Sequence, residues 1–327
     1  MLRMTIATER YDRTAALHDG RIRPEGMDVT WLPLNVEQTF WRMLQHAEFD
    51  ASEMSLASYV IRRQQGHRDL VAIPVFLSRV FRHDCIYIHE GAGIREPKDL
   101  VGKRVGVPEY QITAAIFARG LLADDFGVGH RDVEWIQGGL EEAGRVPHTK
   151  VEPRGVSIAM AGPGKTLARM LEEGEIDALI SPRVPSTWQG GRGRVQRLFS
   201  DPWTVERDYF KRTAIFPIMH LVAIRASVVE ANPWVPQSLA KSFIAAKRIA
   251  DRDLRETAAL PISLPFLVQH AEETAALMGD DFWPYGVEPN RVTLEAFTRY
   301  AHEQGLIAER PAIEELFPES TQRVSRT

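Results

Sequence analysis

The sequence is poor in cysteine: Cys85 is the single cysteine among 327 residues. One cysteine excludes an internal disulfide, which is typical of proteins from a reducing compartment. Cys85 begins the apolar run Cys-Ile-Tyr-Ile at positions 85–88. We therefore expect a buried structural thiol there rather than a reactive nucleophile.

Long hydrophobic runs are also absent from the sequence. No uninterrupted apolar stretch comes near the roughly 18 residues that a transmembrane helix needs. At the N-terminus, Arg3, Glu9 and Arg10 interrupt the chain before the apolar region of a signal peptide could form. The expected location is therefore the cytoplasm, with no membrane partner.

Neither sign of charge dominates the composition. The 40 Lys and Arg residues are nearly balanced by 44 Asp and Glu residues, for a formal net charge of −4. A nucleic-acid-binding protein normally carries a strongly basic face, so this balance argues against that class of partner. With 44% hydrophobic and 26% charged residues, the composition is that of an ordinary globular protein.

The sequence contains no complete motif for a metal-binding or nucleotide-binding site. No HExxH or CxxC spacing occurs, and the residues that could bind a metal are scattered along the chain. The segment Gly-Pro-Gly-Lys-Thr at 162–166 resembles part of a phosphate-binding loop, but Ala159 stands where that motif requires its first glycine. We expect a strand-to-helix turn at this place, no metal site and no organic cofactor.

Hydrophobic patterning predicts alternating strands and helices. Residues 4–8, 28–34 and 51–56 are typical of short strands, and 36–48 has the apolar spacing of an amphipathic helix. Residues 70–77 form a nearly continuous apolar run, as in a strand covered on both faces. This alternation favours an α/β fold with a mainly parallel sheet flanked by helices.

A break in this pattern predicts two domains, which the chain length also favours. Residues 89–99 are rich in Gly, Pro and charge, a second βα series begins near 104, and an apolar run returns at 215–224. We expect lobe 1 to contain residues 1–89 plus 217–327 and lobe 2 to be the insertion 90–216. Strands 85–89 and 216–224 would pair where they cross between the lobes.

This plan resembles the type II periplasmic-binding-protein fold. The phrase Leu-Val-Gly-Lys-Arg-Val-Gly-Val at 100–107 is similar to the opening of that fold's second lobe. Ligands of open α/β sheets bind beyond the carboxyl ends of the strands, so we expect a cleft between the lobes that holds a small anion.

The densest polar cluster follows the apolar run at residues 78–84. Arg79, Arg82 and His83 come at a predicted strand end, where guanidinium groups suit carboxylate recognition. The alternative is a solvated turn with surface ion pairs.

A second candidate segment, residues 107–113, runs from a strand directly into a helix. The amides of its first turn would be free donors for an anion. Glu109 is either an acid or base, or a charge that complements the helix dipole. Tyr110 and Thr113 are candidate ligand contacts, with a local helix-start role for Thr113 equally open.

Other candidates follow further strands or lie in loops. Glu53 and Ser55 end one strand, and Arg183 follows another. His220 stands in an apolar run, where a histidine satisfied within the core is the alternative to a catalytic one. Trp283 belongs to an aromatic loop that either covers a substrate ring or packs against the protein.

Taken together, these segments resemble the 4,5-dihydroxyphthalate decarboxylase family. The resembling stretches are distributed in order along nearly the whole chain, at 49–55, 73–83, 106–114, 174–179, 215–220 and 278–286. The resemblance implies removal of one carboxylate from a dihydroxylated phthalate to give protocatechuate. Ring protonation followed by loss of carbon dioxide would require no organic cofactor. The resemblance also implies a small aromatic dicarboxylate as the partner, and it leaves open whether the chain forms a homo-oligomer.

The residues suggest roles for this chemistry. A general acid is needed at the ring carbon, a partner at the phenol and cations at the retained carboxylate. We expect His83 or His220 as the acid and Glu53 or Glu109 as the partner, with His83 preferred because its sequence neighbours are polar. The arginines at 79, 82 and 183 would be the cations. The alternative function is a solute-binding protein for a small carboxylate, without catalysis.

Overall fold

A computed structural model describes residues 1–147 and 149–322 of the chain. It contains eleven strands in this described part: β1 (Leu2–Thr8), β2 (Met27–Pro33), β3 (Ala51–Ser55), β4 (Leu70–Arg79), β5 (Ile86–His89), β6 (Arg104–Val107), β7 (Glu134–Gln137), β8 (Ile158–Met160), β9 (Ala178–Ile180), β10 (Val195–Arg197) and β11 (Ile218–Arg225).

Eleven α-helices accompany these strands in the same residues. They are α1 (Asp12–His18), α2 (Val36–His46), α3 (Leu56–Gln64), α4 (Thr113–Phe126), α5 (Leu167–Glu172), α6 (Pro202–Thr213), α7 (Ala226–Ala231), α8 (Val235–Asp253), α9 (Leu267–Met278), α10 (Arg291–Glu303) and α11 (Glu319–Gln322). Short 3-10 helices occur at Glu90–Ala92, Pro97–Leu100, Glu288–Asn290 and Ile313–Leu316. Among these helices, none combines the length and apolar character that crossing a membrane requires.

The chain divides into two compact units. Unit 1 comprises Met1–Arg79, Ile218–Leu294 and the described residues from 311 onward, whereas unit 2 comprises Val80–Pro217 and Glu295–Arg310. Two stretches that the sequence assigns to lobe 1, residues 80–89 and 295–310, thus belong to unit 2.

Packing explains both differences from the expected boundaries. Strand β5 pairs with β9 and β10 of unit 2. In the second half of α10, Phe297 packs against Phe117 of α4 with ring centroids 5.7 Å apart. The Arg119 Nε donates to the Gln304 side-chain oxygen at 2.8 Å, which ties the end of this segment to the same helix.

Unit 1 is built on a five-stranded sheet in the order β2-β1-β3-β11-β4. Strands β2, β1 and β3 are parallel, and β11 is antiparallel to both of its neighbours. The apolar run of β4 is buried, as its composition predicts. Strand β3 occupies the centre of the sheet, and all five of its residues are buried.

Unit 2 is built on a six-stranded sheet in the order β10-β5-β9-β6-β7-β8. Strands β9, β6, β7 and β8 are parallel, and β5 and β10 run antiparallel to their neighbours. Its core includes the side chains of Tyr87, Leu167, Leu171, Ile176 and Leu179.

The expectation that strands 85–89 and 216–224 pair with each other is wrong. Strand β5 pairs with β9 and β10, and β11 pairs with β3 and β4. The two places where the chain passes between units are nevertheless adjacent. Arg79 is in register with Ile218, and the Val80 amide donates to the Pro217 carbonyl at 3.1 Å.

Sequence patterning missed two elements of unit 2, namely strand β10 and helix α6. Helix α6 buries only Tyr209 among its twelve residues, so it lacks the apolar stripe by which amphipathic helices are recognised. Strand β10 has three residues and follows a loop rich in Gly and Arg.

Candidate active site

Two neighbouring strands of unit 1 bring Glu53 and His220 together. In the antiparallel pairing of β3 with β11, His220 stands opposite Ser55 and Val222 stands opposite Glu53. Alternate residues of a strand share one face, so Glu53 and His220 point to the same side of the sheet. Their side chains meet with His220 Nδ1 2.7 Å from Glu53 Oε1.

The Glu53 carboxylate is fully buried and accepts further hydrogen bonds. The Tyr11 hydroxyl donates to Oε1 at 2.8 Å, and the Glu9 amide donates to Oε2 at 3.0 Å. Burial by itself would raise the pKa of Glu53, but the hydrogen bond and charge of His220, with those two donors, lower it below the usual value. Glu53 is therefore held as a carboxylate.

His220 is oriented by this contact and is partly open. An ionised carboxylate only accepts hydrogen bonds, so Nδ1 carries the proton of the 2.7 Å contact. The edge of the ring packs against Phe40 of α2, with centroids 4.9 Å apart. The side chain keeps 18% of its surface exposed. Within residues 1–147 and 149–322, Nε2 has no hydrogen-bond partner.

Arg13 supports the tyrosine of this cluster. Its guanidinium lies 4.1 Å from the Tyr11 ring centroid and 4.2 Å from the Trp283 ring centroid. Arg13 Nε donates to the Leu77 carbonyl at 2.8 Å, and Trp283 Nε1 donates to the Phe76 carbonyl at 2.8 Å. The predicted aromatic loop thus packs onto β4, so the indole N–H is used by the protein itself.

Two further predicted residues of unit 1 have structural contacts. Arg79 is 5% exposed, and its Nη1 donates to the Asn290 side-chain oxygen at 2.7 Å. Burial lowers the pKa of Arg79 to about 9. The Ser55 hydroxyl accepts from the Ser58 amide at 3.3 Å and so caps α3, which begins directly after β3.

In unit 2, Glu109 is buried in a network that the sequence did not predict. Its Oε1 accepts from Arg145 Nε at 2.8 Å, and its Oε2 accepts from Gln111 Nε2 at 2.6 Å. Tyr110 is fully buried, and its amide donates to the Gln137 side-chain oxygen at 2.8 Å. Thr113 is buried as the first residue of α4.

His83 is buried in unit 2 rather than exposed at a strand end. It is 1% exposed, and its ring packs edge-on against Phe199 and Tyr209. Among the described residues neither ring nitrogen has a hydrogen-bond partner, and Nδ1 lies 3.9 Å from Glu206 Oε1. Burial lowers the pKa of His83 to about 4, so the ring is neutral near pH 7.

The remaining predicted residues of unit 2 differ in exposure. Arg82 is 7% exposed, and burial lowers its pKa. Arg183 is exposed, and its backbone amide donates to the Ser181 hydroxyl at 3.2 Å. Cys85 is 3% exposed with a pKa raised to about 12 by burial, which confirms the structural thiol that the sequence predicts.

The segment that resembles a phosphate-binding loop has an ordinary role. It connects β8 to α5, and the Lys165 amide donates to the Gly162 carbonyl at 3.1 Å within a turn. The Lys165 side chain pairs with Glu175 at the surface.

Within the described residues, no group of three or more His, Cys, Asp or Glu side chains is placed to hold a metal ion.

Comparison with proteins of known activity decides the family. The chain is 38% identical over 317 residues to a 4,5-dihydroxyphthalate decarboxylase of Comamonas testosteroni, covering 97% of this chain and 96% of that protein. The chain belongs to the 4,5-dihydroxyphthalate decarboxylase family. A second family member, from Pseudomonas putida, is 40% identical over 211 residues, covering 64% of this chain and 82% of that one. No protein-family model matches the chain.

Solved structures show which fold this decarboxylase family member has. The periplasmic aliphatic sulphonate binding protein SsuA from Escherichia coli has a TM-score of 0.54 at 14% identity, covering 98% of this chain and 99% of that one. The alkanesulfonate-binding protein SsuA from Xanthomonas axonopodis pv. citri, solved with MOPS bound, has a TM-score of 0.52 at 13% identity, covering 97% and 98%. The predicted periplasmic-binding-protein fold is thereby confirmed.

Sequence reasoning found Glu53 and His220 separately but missed the residues that complete their cluster. Tyr11 directly precedes α1, and nothing in its spacing relates it to a carboxylate 42 positions later. Arg145 lies outside the helices and strands of the described residues, and Glu206 lies on α6, which the sequence did not predict. The polarity of Arg82 and His83 was visible in the sequence, but their burial was not.

Proposed function

We propose that this chain is a carboxy-lyase that converts 4,5-dihydroxyphthalate to protocatechuate and carbon dioxide. The observation that carries the proposal is the partly exposed His220, whose Nδ1 is held by the buried carboxylate of Glu53 at 2.7 Å. Family membership supplies the substrate class, since both relatives compared above are decarboxylases of this compound.

The reaction requires a proton at the ring carbon. Direct loss of carbon dioxide would leave an aryl carbanion that nothing stabilises. Protonation of the carbon that bears the carboxylate avoids this, because the hydroxyl para to it supplies electrons and becomes dienone-like as its proton leaves. The C–C bond to the carboxylate then breaks, its electron pair restores the aromatic ring, and carbon dioxide departs. One proton enters at carbon, and one returns to the phenol.

His220 suits the role of the acid in this sequence. Protonated histidine is a general acid near neutral pH, and the carboxylate behind it stabilises the imidazolium and fixes the ring orientation. Since Glu53 occupies Nδ1, the proton is delivered from Nε2. The Tyr11 hydroxyl and the Glu9 amide keep Glu53 in place while the imidazole changes charge.

Burial makes His83, the acid that the sequence favours, a poor candidate for this role. A ring that is 1% exposed, with a pKa lowered to about 4, carries no transferable proton at neutral pH. Glu109 is a weaker candidate acid or base than Glu53, because Arg145 and Gln111 already engage both of its oxygens. We assign Glu109 and His83 structural roles in unit 2.

The three arginines proposed to bind the retained carboxylate differ in their exposure and in their contacts with the protein. Arg183 is exposed and is our first candidate for substrate recognition, followed by Arg82. Arg79 already donates to Asn290, so we assign it to positioning the loop before α10. Ser55, Tyr110, Thr113 and Trp283 remain proposed substrate contacts. The cytoplasmic location remains a prediction from the sequence.

The test is incubation of the purified chain with 4,5-dihydroxyphthalate, with protocatechuate followed by chromatography and carbon dioxide by a coupled assay. The matched control substrate is phthalate, which has both carboxylates but no hydroxyl to accept electrons. We expect turnover of the first compound and none of the second. Tight binding of 4,5-dihydroxyphthalate without release of carbon dioxide would instead establish the solute-binding function.

A further inference from the structure

Two hydrogen-bond donors meet at a single oxygen of Glu53. The Tyr11 hydroxyl and His220 Nδ1 both contact Oε1, at 2.8 Å and 2.7 Å respectively. Hydrogen bonds that share an atom influence one another, so a movement of the tyrosine changes the position and the charge of the oxygen that orients the imidazole. Whatever holds the Tyr11 ring in place therefore also acts on His220.

The Tyr11 ring is held by the guanidinium of Arg13. Tyr11 precedes α1 with an extended backbone, and its ring can turn about two side-chain bonds. Arg13 lies 4.1 Å from the ring centroid, where a cation is attracted to the aromatic face. Burial and the charge of Glu53 raise the pKa of Tyr11, so the hydroxyl keeps its proton and remains a donor.

Arg13 itself is anchored on β4. Its Nε and Nη2 both donate to the Leu77 carbonyl, and Nη1 donates to Asp12 at 3.0 Å. The ring centroid of Trp283 lies 4.2 Å from the guanidinium, and the indole N–H donates to the Phe76 carbonyl. With an acceptor at each of its three nitrogens and a side chain only 15% exposed, Arg13 is suited to fixing its neighbours rather than to binding a substrate carboxylate.

We propose that Arg13 is a positioning residue for the acid of the reaction. It holds the Tyr11 hydroxyl on Glu53 Oε1, and this oxygen in turn fixes the orientation of His220. The effect on turnover rests on the proposed decarboxylase function, whereas the effect on the imidazole is present without substrate. Arg13 therefore acts on proton delivery from a place where it does not contact the reacting atoms.

A double-mutant cycle with Tyr11→Phe tests the proposal. Arg13→Met removes the cation and its hydrogen bonds, and it should lower kcat roughly tenfold with the substrate Kd unchanged. In the Tyr11→Phe background the same substitution should lower kcat by less than about twofold, because no hydroxyl remains to be positioned. Equal losses of kcat in both backgrounds, or a weaker Kd with unchanged kcat, would overturn the proposal.

Arg63→Met is the matched control. Arg63 also lies over a tyrosine, 5.7 Å from the Tyr59 ring centroid, and its Nη2 donates to the Glu315 carbonyl at 3.1 Å. This variant should retain the wild-type kcat. If Arg13→Met fails to fold, Arg13→Lys replaces it in the cycle, because lysine keeps the charge but lacks the planar guanidinium. Its loss of kcat should likewise disappear in the Tyr11→Phe background.

A proton NMR spectrum separates this proposal from the proposed function, because it requires no turnover. The Nδ1 proton of His220, bonded to a carboxylate, should resonate far downfield of the backbone amides and be lost in His220→Asn. Arg13→Met should move or broaden this signal, whereas Arg63→Met should leave it in place. A wild type that shows this response but releases no carbon dioxide would refute the decarboxylase function alone. An unchanged spectrum in Arg13→Met would overturn the positioning role.

Discussion

His220 Nδ1 lies 2.7 Å from a carboxylate oxygen of Glu53, and the two residues are 167 positions apart in the chain. The carboxylate is fully buried, whereas the imidazole keeps 18% of its side-chain surface exposed. One partner is therefore enclosed by protein, whereas the other can contact a molecule that enters from solvent.

The first prediction concerns the acid. His220→Asn should lower kcat about 10²- to 10⁴-fold while changing the substrate Kd much less, because proton delivery acts mainly in the transition state. Turnover of the wild type in heavy water should place one deuterium where the carboxylate left. His302→Asn, at an exposed position on α10, is the control and should retain full activity. Full activity in the His220 variant would remove this residue from the mechanism.

The second prediction concerns the carboxylate behind the acid. Glu53→Gln keeps the size of the side chain but removes the charge that stabilises the imidazolium, so kcat should fall by roughly 10²-fold or more. Steady-state kinetics of the folded variant measure this.

The same variant has a consequence for acid stability. The pKa of Glu53 is lowered in the folded state, so its contribution to stability is present above its ordinary value of 4.5 and is lost as the pH falls. The wild type should therefore lose more stability than Glu53→Gln on acidification below about pH 4.5. Identical acid profiles would contradict the assignment of Glu53 as an ionised group.

The third prediction concerns the tyrosine that donates to Glu53. Tyr11→Phe removes a hydrogen bond to a buried carboxylate and should lower the free energy of unfolding by about 1–3 kcal/mol, with a moderate loss of kcat. The matched control is Tyr285→Phe, since the buried Tyr285 hydroxyl has no hydrogen-bond partner in the described chain. That control should be neutral in urea unfolding, and equal losses in both variants would show that the hydrogen bond to Glu53 is not the source of the loss.

The fourth prediction concerns His83 and Glu206, which titrate in opposite senses. The pKa of His83 is lowered to about 4, so its contribution to stability is present above 6.5 and is lost as the pH falls. The pKa of Glu206 is raised to about 7 by burial and by Asp84, so its contribution is present below 4.5 and is lost as the pH rises. Between these limits the two slopes oppose each other.

Glu206→Gln should expose the slope of His83. The variant should lose stability more steeply than the wild type from pH 6.5 to 4.5, by up to about 1.4 kcal/mol per pH unit. Other charges near the pair are Arg82, Asp84, Asp125 and Arg212, and they are the same in both proteins. Urea unfolding at several pH values decides, and parallel profiles would show that the pair does not titrate in this range.

The fifth prediction separates two arginines. Arg183→Ala should raise the substrate Kd about tenfold or more with little change in stability, because the side chain is exposed and loses a charge-assisted contact. Arg79→Ala should instead lower the free energy of unfolding by roughly 2–4 kcal/mol, because it removes a buried guanidinium from Asn290. Calorimetric titration and urea unfolding measure the two effects, and the reverse pattern would exchange the roles.

Much of the fold followed from local patterns in the chain. The apolar run at 70–77 predicted the buried strand β4, and the apolar spacing at 36–48 predicted α2. Both elements bury several apolar side chains, so the spacing of apolar residues in the sequence indicates which positions are buried. Helix α6 buries few side chains, so the spacing of apolar residues did not predict it.

The sequence by itself determined the fold class, the family resemblance and the order of the elements other than β10 and α6, because each depends on residues close together in the chain. Only the tertiary structure decided which polar residues meet. The pairing of Glu53 with His220 depends on the register of β11 against β3, and the alternation along one strand says nothing about its register with another. Burial was equally hidden, because Arg82 and His83 are polar residues in the sequence whether water or protein surrounds them. The packing of Phe199 and Tyr209 around His83 therefore changed its assignment from acid to structural residue.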